Sequence, residues 1–176
     1  MSANSVNWGL ANINVASAWN TTNGNGSVVA VFDTGTDIYH PDLVNNLWVK
    51  PSNIPDSVSG TYGRNFTTSG TATNVMDIQG HGTHVAGTIA STNTNIGIAT
   101  GAKILTVKVL GDTDGGQFSW LTAGLNYMTL LATQYNVNIV AANMSLGATT
   151  SLGSEHAPLS NALTVNTDRQ EGRWWR

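Results

Sequence analysis

The chain has 176 residues, 10 acidic against 7 basic side chains, a formal net charge of -3 and no cysteine. That length suits one domain with a sizeable core rather than two, and the charge balance leaves no basic patch to follow a nucleic acid, so no such partner is expected. Disulfides, thiolate metal sites and a cysteine nucleophile are excluded, no apolar run is long enough to span a bilayer, and no secretory signal follows Met1.

In chain order, the turn signal Asn23-Gly24-Asn25-Gly26 precedes Val28-Val29-Ala30-Val31-Phe32, a β-branched run that reads as a buried strand. Residues Lys50 to Met76 are rich in Ser, Thr, Gly, Asn and Pro. They read as a long surface excursion, with a short strand at Tyr62 to Phe66. A small-residue helix follows from about Gly82 to Ser91, then a second strand from Ile104 to Leu110. Leu121, Leu125, Met128, Ala132 and Tyr135 share one helical face, with Ser119 as the expected N-cap, and Val137 to Ala142 is the third strand. Strands alternating with helices predict an α/β fold, a parallel sheet with helices on its faces and right-handed crossovers. Ligands in such sheets bind beyond the carboxyl ends of the strands, which directs attention to Asp33, to Gly111–Gly116 and to Asn143–Gly147.

Asp33 directly follows the apolar run and precedes Thr34-Gly35. It is either a turn-forming Asp or a carboxylate that orients a histidine, since a charge at a strand's inner end must be paired. His81 stands between glycines at the expected helix start, where a base would be accessible. The helix N-terminus disfavours imidazolium, and a neighbouring Asp33 would favour it. His84, three residues on, makes a poor metal partner: zincin motifs space their histidines by four and place Glu beside the first. It reads as a packed helix residue.

Taken together, five ordered blocks resemble the subtilisin-like serine proteases. They are Val29-Ala30-Val31-Phe32-Asp33-Thr34-Gly35, His40-Pro41-Asp42-Leu43, Gly80-His81-Gly82-Thr83-His84-Val85-Ala86-Gly87-Thr88-Ile89-Ala90, Val107-Lys108-Val109-Leu110-Gly111 and Asn143-Met144-Ser145-Leu146-Gly147. Trp8-Gly9-Leu10 and Ala18-Trp19 are similar to the start of the mature enzymes. The resemblance implies a three-layer α/β/α fold, incomplete on its C-terminal side, and a catalytic triad in the order Asp, His, Ser. Asp33 would then orient His81, and His81 would act as general base and then general acid. The backbone of Gly115, Gly116, Ser145, Leu146 and Gly147 would pair with an extended polypeptide substrate. Phe118, Leu121 and Leu146 would line an apolar pocket, although Leu121 reads equally well as core. The resemblance also implies a monomeric, secreted enzyme with calcium as a structural cofactor. The Asp42 carboxylate, Asn93 or Thr94 side chains and the Thr92, Ile96 and Ile98 carbonyls would supply an oxygen cage. The same loop also reads as an Asn-rich turn.

Two parts of that pattern are missing. No Gly-Thr-Ser-Met-Ala type segment supplies a nucleophile, and no Ala-Ala-Gly-Asn type strand end supplies the oxyanion donor. Ser145 lacks the setting of a nucleophile elbow, because Asn143 stands where a glycine is needed. The expected organisation is a truncated peptidase domain over residues 1–165 and an aberrant tail over residues 166–176, catalytically incompetent alone. If the Arg173 codon ends in G, the TGG-TGG codons of Trp174-Trp175 read out of frame as Val-Val, the content expected of the next buried strand. A frameshift between about Leu163 and Arg169 would account for that, with natural divergence as the alternative. A non-catalytic peptide-binding fragment is the alternative. An aspartic protease is a weaker alternative, because it needs two carboxylates sharing a proton and Asp33-Thr34-Gly35 has no second copy.

Overall fold

The computed structural model describes residues 7–113 and 115–147. The boundary at residue 165, the tail 166–176 and its frameshift reading lie outside the described residues. Two short helices, α1 (Trp8–Asn12) and α2 (Val15–Trp19), precede β1 (Val28–Asp33). A long segment carrying β2 (Gly63–Asn65) leads to α3 (His81–Ala90), and β3 (Lys103–Lys108), α4 (Phe118–Gln134) and β4 (Ile139–Asn143) follow.

The four strands form one parallel sheet in the order β2-β3-β1-β4. In β1 every residue is buried, as expected of a strand covered on both faces. Alternation divides the strands between two layers. Ala30 and Phe32 of β1, with Leu105 and Val107 of β3, pack against Leu125, Met128 and Leu131 of α4. Val29, Val31 and Ile104 face the opposite way, onto Ala86 and Ala90 of α3. Each large apolar side chain so buried contributes about 1.5–3 kcal/mol. The result is the expected α/β/α sandwich, and among the described residues no helix is long and apolar enough to cross a membrane.

The strand and helix expectations hold within a few residues, and the differences have physical causes. Helix α4 begins at Phe118, with Gln117 at its N-cap in an extended conformation, so Ser119 lies inside the first turn. The Ser119 hydroxyl donates to Gln117 Oε1 instead of capping the helix. The segment from Lys50 to Met76 is less superficial than its composition implies. It buries Ile54, Ser59 and Val75, and its strand β2 pairs with β3. Ser59 Oγ lies 2.7 Å from the Tyr127 hydroxyl of α4, which anchors the excursion to the main core. Burial pushes the Tyr127 phenol up to about 12, despite its hydrogen bond with Ser59.

Candidate active site

Strand β1 lies between β3 and β4, so its carboxyl end is flanked by the segments that leave both neighbours. Asp33, the last residue of β1, is fully buried. Its Oδ1 accepts the Thr34 N–H at 2.7 Å and lies 2.7 Å from His81 Nδ1. Its Oδ2 has no hydrogen-bond partner among the described residues. His81 opens α3 directly after Gly80, whose φ of 92° favours glycine, and its side chain is 53% exposed. With Nδ1 donating to Asp33, the lone pair of Nε2 is left to accept a proton. That tautomer suits a general base.

The hydrogen bond to Asp33 and the Asp33 charge raise the His81 imidazole above 6.5, against a smaller opposing effect of burial, and Asp77 adds to the rise. A folded-state value raised in this way stabilises the fold below the unfolded value and ceases to do so as pH rises through the folded one. Asp33→Asn is therefore expected to destabilise the chain more at about pH 6 than at about pH 9. Denaturant titrations at the two pH values check this, and an equal loss at both would refute it. Exposure of His81 to solvent keeps the difference small.

Asp77 precedes the histidine block by three residues and was not singled out by the sequence. Its buried carboxylate binds the Thr34 hydroxyl on Oδ1 and the Thr83 N–H and hydroxyl on Oδ2. Lys108, a charge inside an apolar strand, is also buried. It donates to the Met76 carbonyl at 2.8 Å and forms an ion pair with Asp112. Gln79 Nε2 donates to the Gly111 carbonyl at 2.6 Å. The loop before His81 is thus fastened to the segment after β3. Buried charges must find partners, so a lysine between valines with an aspartate four residues on was the legible signal.

Gly115 and Gly116 are exposed in a tight turn after β3. Gly111 N–H donates to the Gly115 carbonyl, Leu110 bridges Gly116, and Gly115 has a φ of 71°. Phe118 is half-buried against the main core, and Leu121 belongs to that core. Ser145 is exposed after β4, and its hydroxyl donates to Asn143 Oδ1 at 2.8 Å rather than to His81. Leu146 packs on the core and Gly147 is exposed.

His84 departs from expectation: it is exposed, because the buried face of α3 is made by Gly82, Ala86 and Ala90. With His40, Asp42 and Ile96 it lines a cavity of about 450 Å³ along the outer side of that helix. Asp42 meets the loop 92–98 through its carbonyl, which accepts the Thr92 N–H at 2.9 Å. Asn93 Oδ1 accepts the Asn95 N–H at 3.0 Å, and the Ile98 carbonyl accepts Trp19 Nε1–H at 2.7 Å. The Thr94 side chain and the Ile96 carbonyl belong to the same loop. Among the described residues no three His, Asp or Glu side chains converge on a point that could hold a metal.

Comparison with known proteins agrees with the fold. A family model described as the subtilase family matches residues 24–174. An intracellular serine protease of Paenibacillus polymyxa is 36% identical over 165 residues, covering 91% of this chain and 45% of that protein. The major intracellular serine protease of Bacillus subtilis is 36% identical over 170 residues, covering 93% and 47%. The crystal structure of a cold-adapted subtilisin-like serine proteinase superposes with a TM-score of 0.61 at 29% identity, covering 84% of this chain and 45% of that one. The chain spans about half the length of the curated relatives it matches.

Proposed function

The chain belongs to the subtilase family of serine proteases, and from that premise we propose that it carries the acid–base half of a peptide-bond hydrolase, Asp33 and His81, without the nucleophile. The observation that carries this reading is the 2.7 Å contact between His81 Nδ1 and the buried Asp33 carboxylate at the sheet's carboxyl edge. In this role Asp33 fixes the tautomer of His81 and stabilises the imidazolium formed when Nε2 takes a proton from an attacking hydroxyl. The proton then passes from Nε2 to the leaving amine. An extended polypeptide is the proposed substrate, laid against Gly115-Gly116 on one side and Ser145–Gly147 on the other. Phe118 and Leu146 would receive an apolar side chain, whereas burial of Leu121 favours its core role. The domain is proposed to act as a monomer. Export is a further proposal, and it does not follow from family membership, since two relatives are intracellular by name.

The test joins residues 1–147 to the C-terminal half of the Bacillus subtilis relative, which restores a nucleophile in the same chain. Peptide cleavage is expected, and Asp33→Asn or His81→Ala should remove it. Activity that survives His81→Ala would refute the assignment. In the unextended chain the exposed glycine turn favours a second reading, peptide binding without cleavage. Calorimetric titration with an extended peptide inhibitor of the family tests that reading.

Calcium is supported by the family and by the oxygen-only chemistry of Asp42, Thr92, Asn93, Thr94, Ile96 and Ile98. As arranged, these residues do not fit an assembled cage. Asn93 Oδ1 and the Ile98 carbonyl already accept hydrogen bonds, and Asp42 is the single carboxylate of the set. No catalytic step is drawn through the ion. Millimolar calcium is expected to shift the thermal midpoint by less than about 1 °C relative to chelator, because only an ion that binds the folded form stabilises it. A rise of several degrees would establish a site at this loop.

A further inference from the structure

We infer that Asp77 is a positioning residue for His81, a second buried carboxylate that locks the backbone on both sides of the imidazole and ties it to Asp33. The inference rests on the Asp33–His81 pairing proposed above. Gly80, at the N-cap of α3, has no side chain with which to satisfy the first helical N–H groups. Asp77, three residues upstream, takes one of them, Thr83 N–H, together with two amides that precede the helix. Its Oδ1 accepts Gln79 N–H at 3.0 Å, Gly80 N–H at 2.9 Å and the Thr34 hydroxyl at 2.9 Å. Its Oδ2 accepts Thr83 N–H at 2.8 Å and the Thr83 hydroxyl at 2.6 Å.

Of the two amides between Gly80 and Thr83, that of Gly82 donates to Thr34 Oγ1 at 2.9 Å. The two residues before His81 and the two after it are therefore all held, directly or through Thr34, by one carboxylate. Thr34 also donates its N–H to Asp33 Oδ1, so the chain Asp77–Thr34–Asp33 closes a rigid frame around the base. Burial pushes the Asp77 carboxyl up, but its hydrogen bonds from Thr83, Gly80 and Thr34 outweigh this and hold it below 3.8. Ionised, it favours imidazolium in the same sense as Asp33.

The groups acting on the imidazole are thus Asp33 and Asp77, and NMR of the full chain with labelled histidine separates them. The chain has 4 histidines, and His81→Gln assigns the signal of interest. Asp77→Asn places an NH2 against the two Thr83 donors and removes the charge. It is expected to lower the His81 titration midpoint and to speed exchange of the Nδ1 proton roughly tenfold. Thr83→Val is expected to speed that exchange as well, and Thr83→Ser to restore it, which keeps the test open should Asp77→Asn fail to fold.

Asp33→Asn is the reference. If it leaves the His81 midpoint unmoved, the pairing fails and the inference with it. If Asp33→Asn lowers the midpoint while neither Asp77→Asn nor Thr83→Val alters His81, Asp77 is a helix cap only and the inference alone is overturned.

Discussion

The 176-residue chain is expected to leave extended peptide substrates uncut, at a rate indistinguishable from buffer. Amide hydrolysis by a triad needs an atom that attacks, and among the described residues no hydroxyl is hydrogen-bonded to the His81 ring, whose partner is Asp33. The nearest candidate by sequence block, Ser145, spends its proton on Asn143. The sequence also holds no Ala-Ala-Gly-Asn type strand end to supply an oxyanion donor. In subtilisin itself, loss of the serine alone costs about 10⁶-fold in kcat, and the small activity that survives depends on the oxyanion hole. With neither group supplied, that residue of activity should vanish. Asp33→Asn, His81→Ala and Ser145→Ala should all be silent in a fluorogenic peptide assay of the purified chain, while peptide binding persists in the first and third. Cleavage that disappears with Ser145→Ala would overturn the reading at once.

The parts of this molecule that were legible in sequence are those where one physical demand dominates. Val28–Phe32 read as a buried strand from its β-branched run, and the small-residue run after His81 read as a helix. Asp33 was legible because a carboxylate at the inner end of an apolar strand demands a partner. The rest depended on contacts between segments distant in the chain. Strand β2 is Gly-Arg-Asn, with no apolar period of its own, and exists because β3 offers it a pairing edge. Ser59 is likewise held by Tyr127, more than sixty residues on, and Ile54 joins the same core. Asp77 was hidden for a different reason. Its five donors are backbone amides and hydroxyls, which carry little signature in a sequence, although an acid shortly before a helix start with Thr at the third helical position resembles a capping box in reverse. His84 went the other way: histidine suits a packed face, but three smaller residues had already taken the buried side of α3.

That close approach of α3 to the sheet makes Gly82→Ala the substitution with the largest expected effect on the fold and the site together. A Cβ on Gly82 would collide with the Gly35 carbonyl oxygen and lie 3.1 Å from both Asp33 Cβ and Gly35 N. The obstruction is backbone, and Gly35 is itself fixed at a φ of 118° with Val75 and Met76 carbonyls against it, so neither side can give. The helix must therefore move off β1. Such overpacking costs about 1–3 kcal/mol and exceeds the gain of up to about 1 kcal/mol that alanine brings to a helix. His81 immediately precedes Gly82, so the displacement is transmitted to the 2.7 Å contact with Asp33. Gly87→Ala is the control, since it lies in the same helix and its Cβ would meet nothing within 4 Å. Denaturant titration should show Gly82→Ala destabilised and Gly87→Ala unchanged or modestly stabilised. The His81 imidazole should fall toward its ordinary titration midpoint in the first and stay raised in the second. Equal stability of the two variants would mean that the helix can shift without cost and that the packing of α3 on β1 does not set the geometry of the base.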